Sequence, residues 1–91
     1  MQDRIEETQK NIPLSKLKPG QQGTIIHVGG NKVVRRRYLE MGLVRGETVF
    51  VQKKAPLGDP VQYQVKGYNI SIRMADAEKI LVFPENGKLD G

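Results

Sequence analysis

The chain has 91 residues, no cysteine and a formal net charge of +5. This length accommodates one small domain with a single core, and the lack of cysteine excludes disulfides and thiolate metal sites. The first residues are polar and partly acidic, unlike a signal peptide, and no apolar run approaches the roughly 18–20 residues that cross a bilayer. We therefore expect a cytoplasmic protein.

The basic charge is concentrated in one segment. Residues 32–54 contain seven Lys or Arg residues against two Glu residues, which accounts for the whole excess. Such a segment can attract nucleic acid, an anionic membrane surface or an acidic protein face. A solvated helix face has the same composition, so the charge alone leaves these interpretations open.

Order is expected to begin after a polar tail over residues 1–12. Leu14 and Leu17 then follow, and the two side chains can cover one end of a core. Pro19-Gly20 is a strong turn signal. Residues 22–28 are rich in β-branched side chains and predict the first strand.

Residues 32–41 have the apolar spacing of a helix. Val34, Tyr38 and Met41 fall at positions i, i+4 and i+7, which places them on one helix face. Gly42 follows, where the end of a helix commonly needs a left-handed backbone. The sequence therefore predicts a short helix that packs one apolar face on the core and stops at Gly42.

The same helix carries three consecutive arginines. Its periodicity turns Arg35 and Arg36 away from the apolar face and places Arg37 near the boundary. Exposed guanidinium groups suit acidic side chains on a protein partner or a membrane-proximal surface. Arg35, Arg36 and Arg37 are therefore the first candidate partner-binding set.

The remaining chain alternates with a period of two, as half-buried strands do. The predicted strands cover residues 48–52, 61–65, 68–74 and 80–82. A two-residue turn at Lys66-Gly67 and a helical turn at residues 75–78 connect the later strands.

Five short strands with one inserted helix favour a mainly β fold, a small and partly open barrel, because a sandwich needs about seven strands. The barrel domain is expected to span residues 13–83. A second polar tail would cover residues 84–91.

The loop over residues 55–60, Ala-Pro-Leu-Gly-Asp-Pro, supplies a second candidate set. Its two prolines restrict the loop, so Leu57 has little conformational entropy left to lose on binding. Leu57 could equally fold back over the end of the barrel, since small cores have few apolar residues. Leu57 and Asp59 complete the candidate partner-binding residues.

Four separated motifs occur in one order along the chain. They are Leu17-Lys18-Pro19-Gly20, then Arg-Tyr-Leu-Glu-Met-Gly-Leu-Val-Arg-Gly at 37–46, Lys-Ala-Pro-Leu-Gly-Asp-Pro at 54–60 and Gly-Tyr-Asn-Ile-Ser-Ile-Arg at 67–73. Over about residues 14–83 they resemble the ferrous iron transport protein A family, FeoA. The resemblance implies an SH3-like β-barrel, in agreement with the predicted strands.

The resemblance also implies a function. FeoA-type proteins are cytoplasmic accessories of bacterial ferrous iron uptake that bind the cytoplasmic GTP-binding region of the FeoB permease and assist or regulate it. The same module is fused to iron- and manganese-dependent repressors, but we expect the free-standing form because the chain has no room for DNA-binding and dimerisation regions.

A regulatory or nucleic-acid-binding SH3-like module is the alternative. Small barrels that bind oligonucleotides combine cations with exposed aromatic side chains on which bases stack. Only five aromatic residues are present, and Tyr38, Tyr63 and Tyr68 fall at core or barrel-face positions. We therefore expect no nucleic-acid partner.

Neither a catalytic site nor a cofactor site is expected. His27 is the one histidine, and no acid–base pair occurs at a recognisable spacing. A metal site would need His27 with carboxylates or a site shared between molecules, so metal-bridged assembly is a third hypothesis. The glycine-rich turns lack the Walker ending. We expect a protein that is not an enzyme, and its self-association stays open.

Overall fold

The computed structural model of the protein describes residues 10–85. Its elements are β1 (Ile12–Pro13), a 3-10 turn (Leu14–Lys16), β2 (Gln22–Val28), α1 (Lys32–Glu40), β3 (Thr48–Lys54), β4 (Val61–Val65), β5 (Tyr68–Ile72), α2 (Met74–Ala77) and β6 (Ile80–Pro84). The strands form one antiparallel sheet in the order β1-β6-β2-β3-β4-β5. The mainly β prediction is confirmed. Most of both predicted tails, residues 1–9 and 86–91, lies outside the described residues.

Strand β1 is the element that the sequence did not predict. It has two residues, and Ile12 pairs with Val82 of β6. A strand this short has no measurable alternation, so its pairing depends on tertiary contacts. It leads into Leu14 and Leu17, which are 0% and 4% exposed and cover the core as predicted.

The predicted strand over residues 68–74 ends earlier, at Ile72, and α2 begins at Met74. Asp59 lies in the β3–β4 loop, and its Oδ1 accepts the backbone N–H of Met74 at 2.9 Å. This bond satisfies one of the free N–H groups at the helix start. Met74 still packs against the core, so the apolar alternation continues past the end of the strand and conceals the boundary.

The core lies on one face of the sheet. Strand β4 alternates strictly between buried and half-buried residues, as a strand with one core-facing side must. Fully burying an aliphatic or aromatic side chain contributes about 1.5–3 kcal/mol. The largest fully buried side chains are Tyr63, Leu14, Ile25, Leu43, Ile72 and Ile80, followed by Val49, Val51, Val61, Val65 and Val82.

Helix α1 ends in the hydrogen-bond pattern of a Schellman motif. The backbone N–H of Gly42 donates to Leu39 O and that of Leu43 to Tyr38 O, both at 3.0 Å. Gly42 has φ of +101°, a conformation that glycine adopts without the steric cost of a Cβ. The predicted glycine cap is therefore confirmed.

Gly42 also lies against the first residue of β5. A Cβ at Gly42 would be 2.9 Å from the Tyr68 hydroxyl oxygen. This hydroxyl donates to Met41 O at 2.5 Å, so moving it away to make room for a Cβ would lengthen that bond. Gly42 is thus required both by the backbone conformation and by the close approach of β5.

We expect Gly42→Ala to lower the free energy of unfolding by about 1–3 kcal/mol from backbone strain, plus the cost of the contact with Tyr68. Gly46→Ala is the matched control, because Gly46 has φ of +92° and a Cβ at that position would have no neighbour within 4 Å. Urea denaturation should show the larger loss for Gly42→Ala, with part of the loss recovered by Tyr68→Phe. Equal losses at both glycines would contradict the close-approach explanation.

The buried Tyr63 predicts a loss of stability at alkaline pH. Burial, with a smaller contribution from the Asp59 charge, raises the pKa of Tyr63 to about 12, whereas an unfolded chain has the ordinary value of about 10. The stability that depends on keeping Tyr63 protonated is therefore fully present below pH 10. As pH rises from 10 towards 12, the free energy of unfolding falls by up to about 1.4 kcal/mol per pH unit. Thermal unfolding of Tyr63→Phe should show a shallower decline over this interval. Parallel curves for the two proteins would refute the prediction.

Candidate partner-binding site

The apolar face of α1 fixes the direction in which its other side chains point. Asn31 accepts the backbone N–H of Val34 at 2.9 Å, which stabilises the start of the helix. Tyr38 is 4% exposed, and Val34 and Met41 are partly buried against the core. The predicted inward face is confirmed, and the arginines occupy the rest of the surface.

The three arginines are exposed, but their contacts differ. Arg35 Nε donates to a backbone carbonyl at the end of β2 at 3.1 Å, so it also fastens the helix to the sheet. Arg36 pairs with Glu40 at 3.6 Å, with 80% and 70% of the two side chains exposed. The Arg37 guanidinium lies 5.3 Å from the centroid of the Tyr38 ring. Arg36 therefore contributes least to the fold, because exposed ion pairs add only about 0–1 kcal/mol.

Tyr38 connects α1 to α2. Its hydroxyl donates to Asp76 Oδ2 at 2.7 Å. Burial and this hydrogen bond raise the pKa of Tyr38, while Arg37 lowers it. The hydroxyl therefore stays protonated at neutral pH and keeps donating to Asp76, which holds the orientation of the arginine helix.

The outer face of α1 contains a shallow groove of about 470 Å³, which sequence reasoning missed. Val33 is 75% exposed there, and it lies three and four positions before Arg36 and Arg37, so the helical period already placed all three on one face. An apolar side chain beside arginines matches protein interfaces, where Arg is enriched. We call this surface the arginine face; its lining residues are Lys32, Val33, Arg36, Arg37 and Glu40.

Leu57 projects from the loop between β3 and β4. It is 95% exposed, so the alternative in which it folds back over the barrel is wrong. Backbone hydrogen bonds close the loop, from Ala55 N–H to Pro60 O at 3.0 Å and from Gly58 N–H to Ala55 O at 2.7 Å. These bonds present Leu57 on a restrained turn. Asp59, at the base of the loop, is engaged at the start of α2.

The arginine and loop residues lie at opposite ends of β3. This strand has seven residues, and at about 3.3 Å per residue its ends are roughly 20 Å apart. Both sets are nevertheless attached to α2, one through the Tyr38–Asp76 bond and the other through the Asp59–Met74 bond. The arginine residues and the loop residues are therefore both anchored to α2, but they do not form one continuous surface.

His27 is exposed on β2, where the pairing with β6 shifts register between Ile25 and His27. Within residues 10–85, no three His, Asp or Glu side chains are grouped as a metal site would require. In the same range, no helix has the length and apolar character of a transmembrane span.

The FeoA domain family matches residues 12–84. Over 69 residues the chain is 51% identical to the Fe(2+) transport protein A/Fe(2+) transporter FeoB fusion protein of Porphyromonas gingivalis, a region that makes up 76% of this chain and 8% of the fusion protein. The chain thus spans a small part of that relative.

Two solved structures extend the similarity to the fold. The FeoA protein of Chlorobium tepidum is 38% identical with a TM-score of 0.78, over 81% of this chain and 70% of that chain. The zinc complex of Stenotrophomonas maltophilia FeoA, described as a prokaryotic SH3 domain protein, is 28% identical with a TM-score of 0.67, over 80% and 88% of the two chains. By sequence and by fold, the chain belongs to the FeoA domain family.

Proposed function

We propose that the protein is a cytoplasmic, non-enzymatic accessory of bacterial ferrous iron uptake that docks on the cytoplasmic GTP-binding region of an FeoB-type permease. The observation that carries this proposal is the fusion in Porphyromonas gingivalis, where a segment 51% identical to this domain shares one chain with an FeoB transporter. A covalent linkage gives two domains a high effective concentration. A separate chain needs a binding surface to achieve the same association.

The arginine face is the surface that we assign to this contact. Arginine side chains bind carboxylates in bidentate geometry, and Val33, 75% exposed, adds an apolar contact. Because Asn31 and Tyr38 hold both ends of α1 in place, the backbone of this surface is preorganised, and binding loses little backbone entropy.

Leu57 supplies the second contact. An interface of standard size covers about 800 Å² on each partner, which is roughly 28 Å across and wide enough to include both ends of β3. Leu57, 95% exposed, would enter an apolar pocket on the permease. Burying an exposed leucine side chain contributes about 1.5–3 kcal/mol, so this contact would add substantially to the affinity.

Docking would regulate the permease by shifting the equilibrium between the GTP-loaded and GDP-loaded forms of its cytoplasmic region. A bound partner shifts a conformational equilibrium only by the difference between its affinities for the two states. The domain would therefore assist transport if it binds the GTP-loaded and GDP-loaded forms of the cytoplasmic region with different affinities.

The first test is a titration of the purified chain with the cytoplasmic region of FeoB. Arg36→Glu should weaken binding by about tenfold, equivalent to roughly 1.4 kcal/mol, and leave the melting temperature nearly unchanged because the Arg36–Glu40 pair is exposed. Lys10→Glu makes the same charge change on an exposed residue before β1, an edge strand that β6 and β2 separate from β3, and should leave the affinity within about twofold, since charges separated by more than about 8 Å are screened at 0.15 M salt. Equal effects of both variants would show that net charge, rather than the arginine face, controls binding.

The second test concerns the loop. Leu57→Asp should weaken the same titration by at least about tenfold, because a carboxylate cannot enter an apolar pocket without a large desolvation cost. Leu57→Met keeps the apolar volume and serves as the matched control. Neither variant should change the melting temperature, since Leu57 is 95% exposed. Full affinity in Leu57→Asp would remove the loop from the proposed interface.

A further inference from the structure

Strand β5 is an open edge of the sheet. It pairs only with β4, and Val65 lies opposite Tyr68 across the turn at Lys66 and Gly67, whose φ values are 53° and 87°. In such a two-residue turn the flanking pair is hydrogen-bonded, and hydrogen-bonded pairs then alternate along the ladder. The backbone N–H and C=O groups of Asn69 and Ser71 consequently point away from β4. Within residues 10–85, no other element hydrogen-bonds to them.

The two edges of the sheet differ in their protection. At one edge, β1 is only two residues long, and one of the two is Pro13. A very short strand and a proline both prevent further strand pairing. At the other edge, β5 has five residues, Tyr-Asn-Ile-Ser-Ile, with no proline, no charge and no register shift against β4. An unprotected edge of this length is a template for an additional strand.

Cationic side chains lie near this edge. Arg73 follows β5 on the same face of the sheet as Asn69 and Ser71, and all three are exposed. A groove of about 330 Å³ runs from Ser71 across β4 to Lys53 and Lys54 at the end of β3, two strands from the edge. Within the described chain, none of these three cations forms a salt bridge. The nearby carboxylate of Asp59 already accepts the Met74 N–H.

We infer that the open edge of β5 binds an extended acidic peptide as a seventh strand. The backbone of Asn69 and Ser71 would exchange hydrogen bonds with the peptide, as in other cases of strand addition. One acidic side chain would lie beside Arg73, and another, next to Ser71, would face the more distant Lys53 and Lys54 across the groove. This site is distinct from the arginine face and does not rest on the proposed docking to a permease.

Charge argues against a second copy of the chain as the occupant. A second copy would offer its own β5, Tyr-Asn-Ile-Ser-Ile, which contains no acidic residue. Pairing of two β5 strands would therefore bring two copies of Arg73 to the interface without a carboxylate for either. An acidic peptide instead pairs its carboxylates with cations at the same positions.

The test uses the full chain labelled with ¹⁵N and a capped hexapeptide, acetyl-Glu-Val-Glu-Val-Glu-Val-amide, with the Lys-Val counterpart as control. The acidic peptide should shift the amide resonances of Asn69, Ser71 and Arg73 in a saturable manner and slow the hydrogen exchange of Ser71. Lys53 and Lys54 should shift with them. The basic peptide should produce no saturable change at these positions.

Two variants separate backbone pairing from simple charge attraction. Ser71→Pro removes the outward N–H without breaking a bond to β4 and should weaken binding about five- to tenfold, whereas Ser71→Ala should bind like the parent. If Ser71→Pro is poorly folded, the hydrogen exchange of the Ser71 amide in the parent chain replaces it, because strand pairing slows this exchange and simple charge attraction does not. Equal binding by Ser71→Pro and Ser71→Ala, equal binding of both peptides, shifts confined to α1, or a dimer formed through β5 in light scattering would each overturn the inference.

Discussion

The contact between the end of α1 and the start of β5 determines where the charged surface of this protein lies. The Tyr68 hydroxyl donates to Met41 O at 2.5 Å, and Gly42 leaves the 2.9 Å approach open. The left-handed turn at Gly42 then directs Leu43 into the core, where it is 0% exposed. A helix of nine residues has little stability by itself, so this fixed end, together with its apolar face, keeps the arginines outward. The contact at Gly42 and Tyr68 therefore determines how the arginines are oriented, although neither residue belongs to the arginine face.

Helix α2 connects the arginine helix α1 with the loop that carries Leu57. Through Asp76 it holds Tyr38 of α1, and through its first N–H it holds Asp59 of the β3–β4 loop. The proposed partner-binding side chains thus extend from two segments that are both hydrogen-bonded to α2. Shared anchoring of this kind favours recognition of a partner with a defined spacing between an acidic patch and an apolar pocket. The open edge of β5 offers a different mode of recognition, through backbone groups.

Local patterns in the sequence were sufficient for much of this architecture. Helical spacing predicted the inward position of Tyr38, the glycine at position 42 predicted the cap, and strict alternation predicted β4. Tertiary contacts determined the features that were missed. Strand β1 exists through its pairing with β6, and the start of α2 depends on Asp59, fifteen positions earlier. The exposure of Leu57 could not be predicted either, because a restrained loop can point an apolar side chain inward or outward.

The most direct test of the proposed role is to map the contact surface in solution, with the ¹⁵N-labelled chain bound to the unlabelled cytoplasmic region of an FeoB permease. We expect the amide resonances of residues 32–40 and 55–58 to broaden or shift, while those of β1 and β6 keep their positions. Binding that perturbs only β1 and β6, or the absence of binding by a folded chain, would contradict the proposed role.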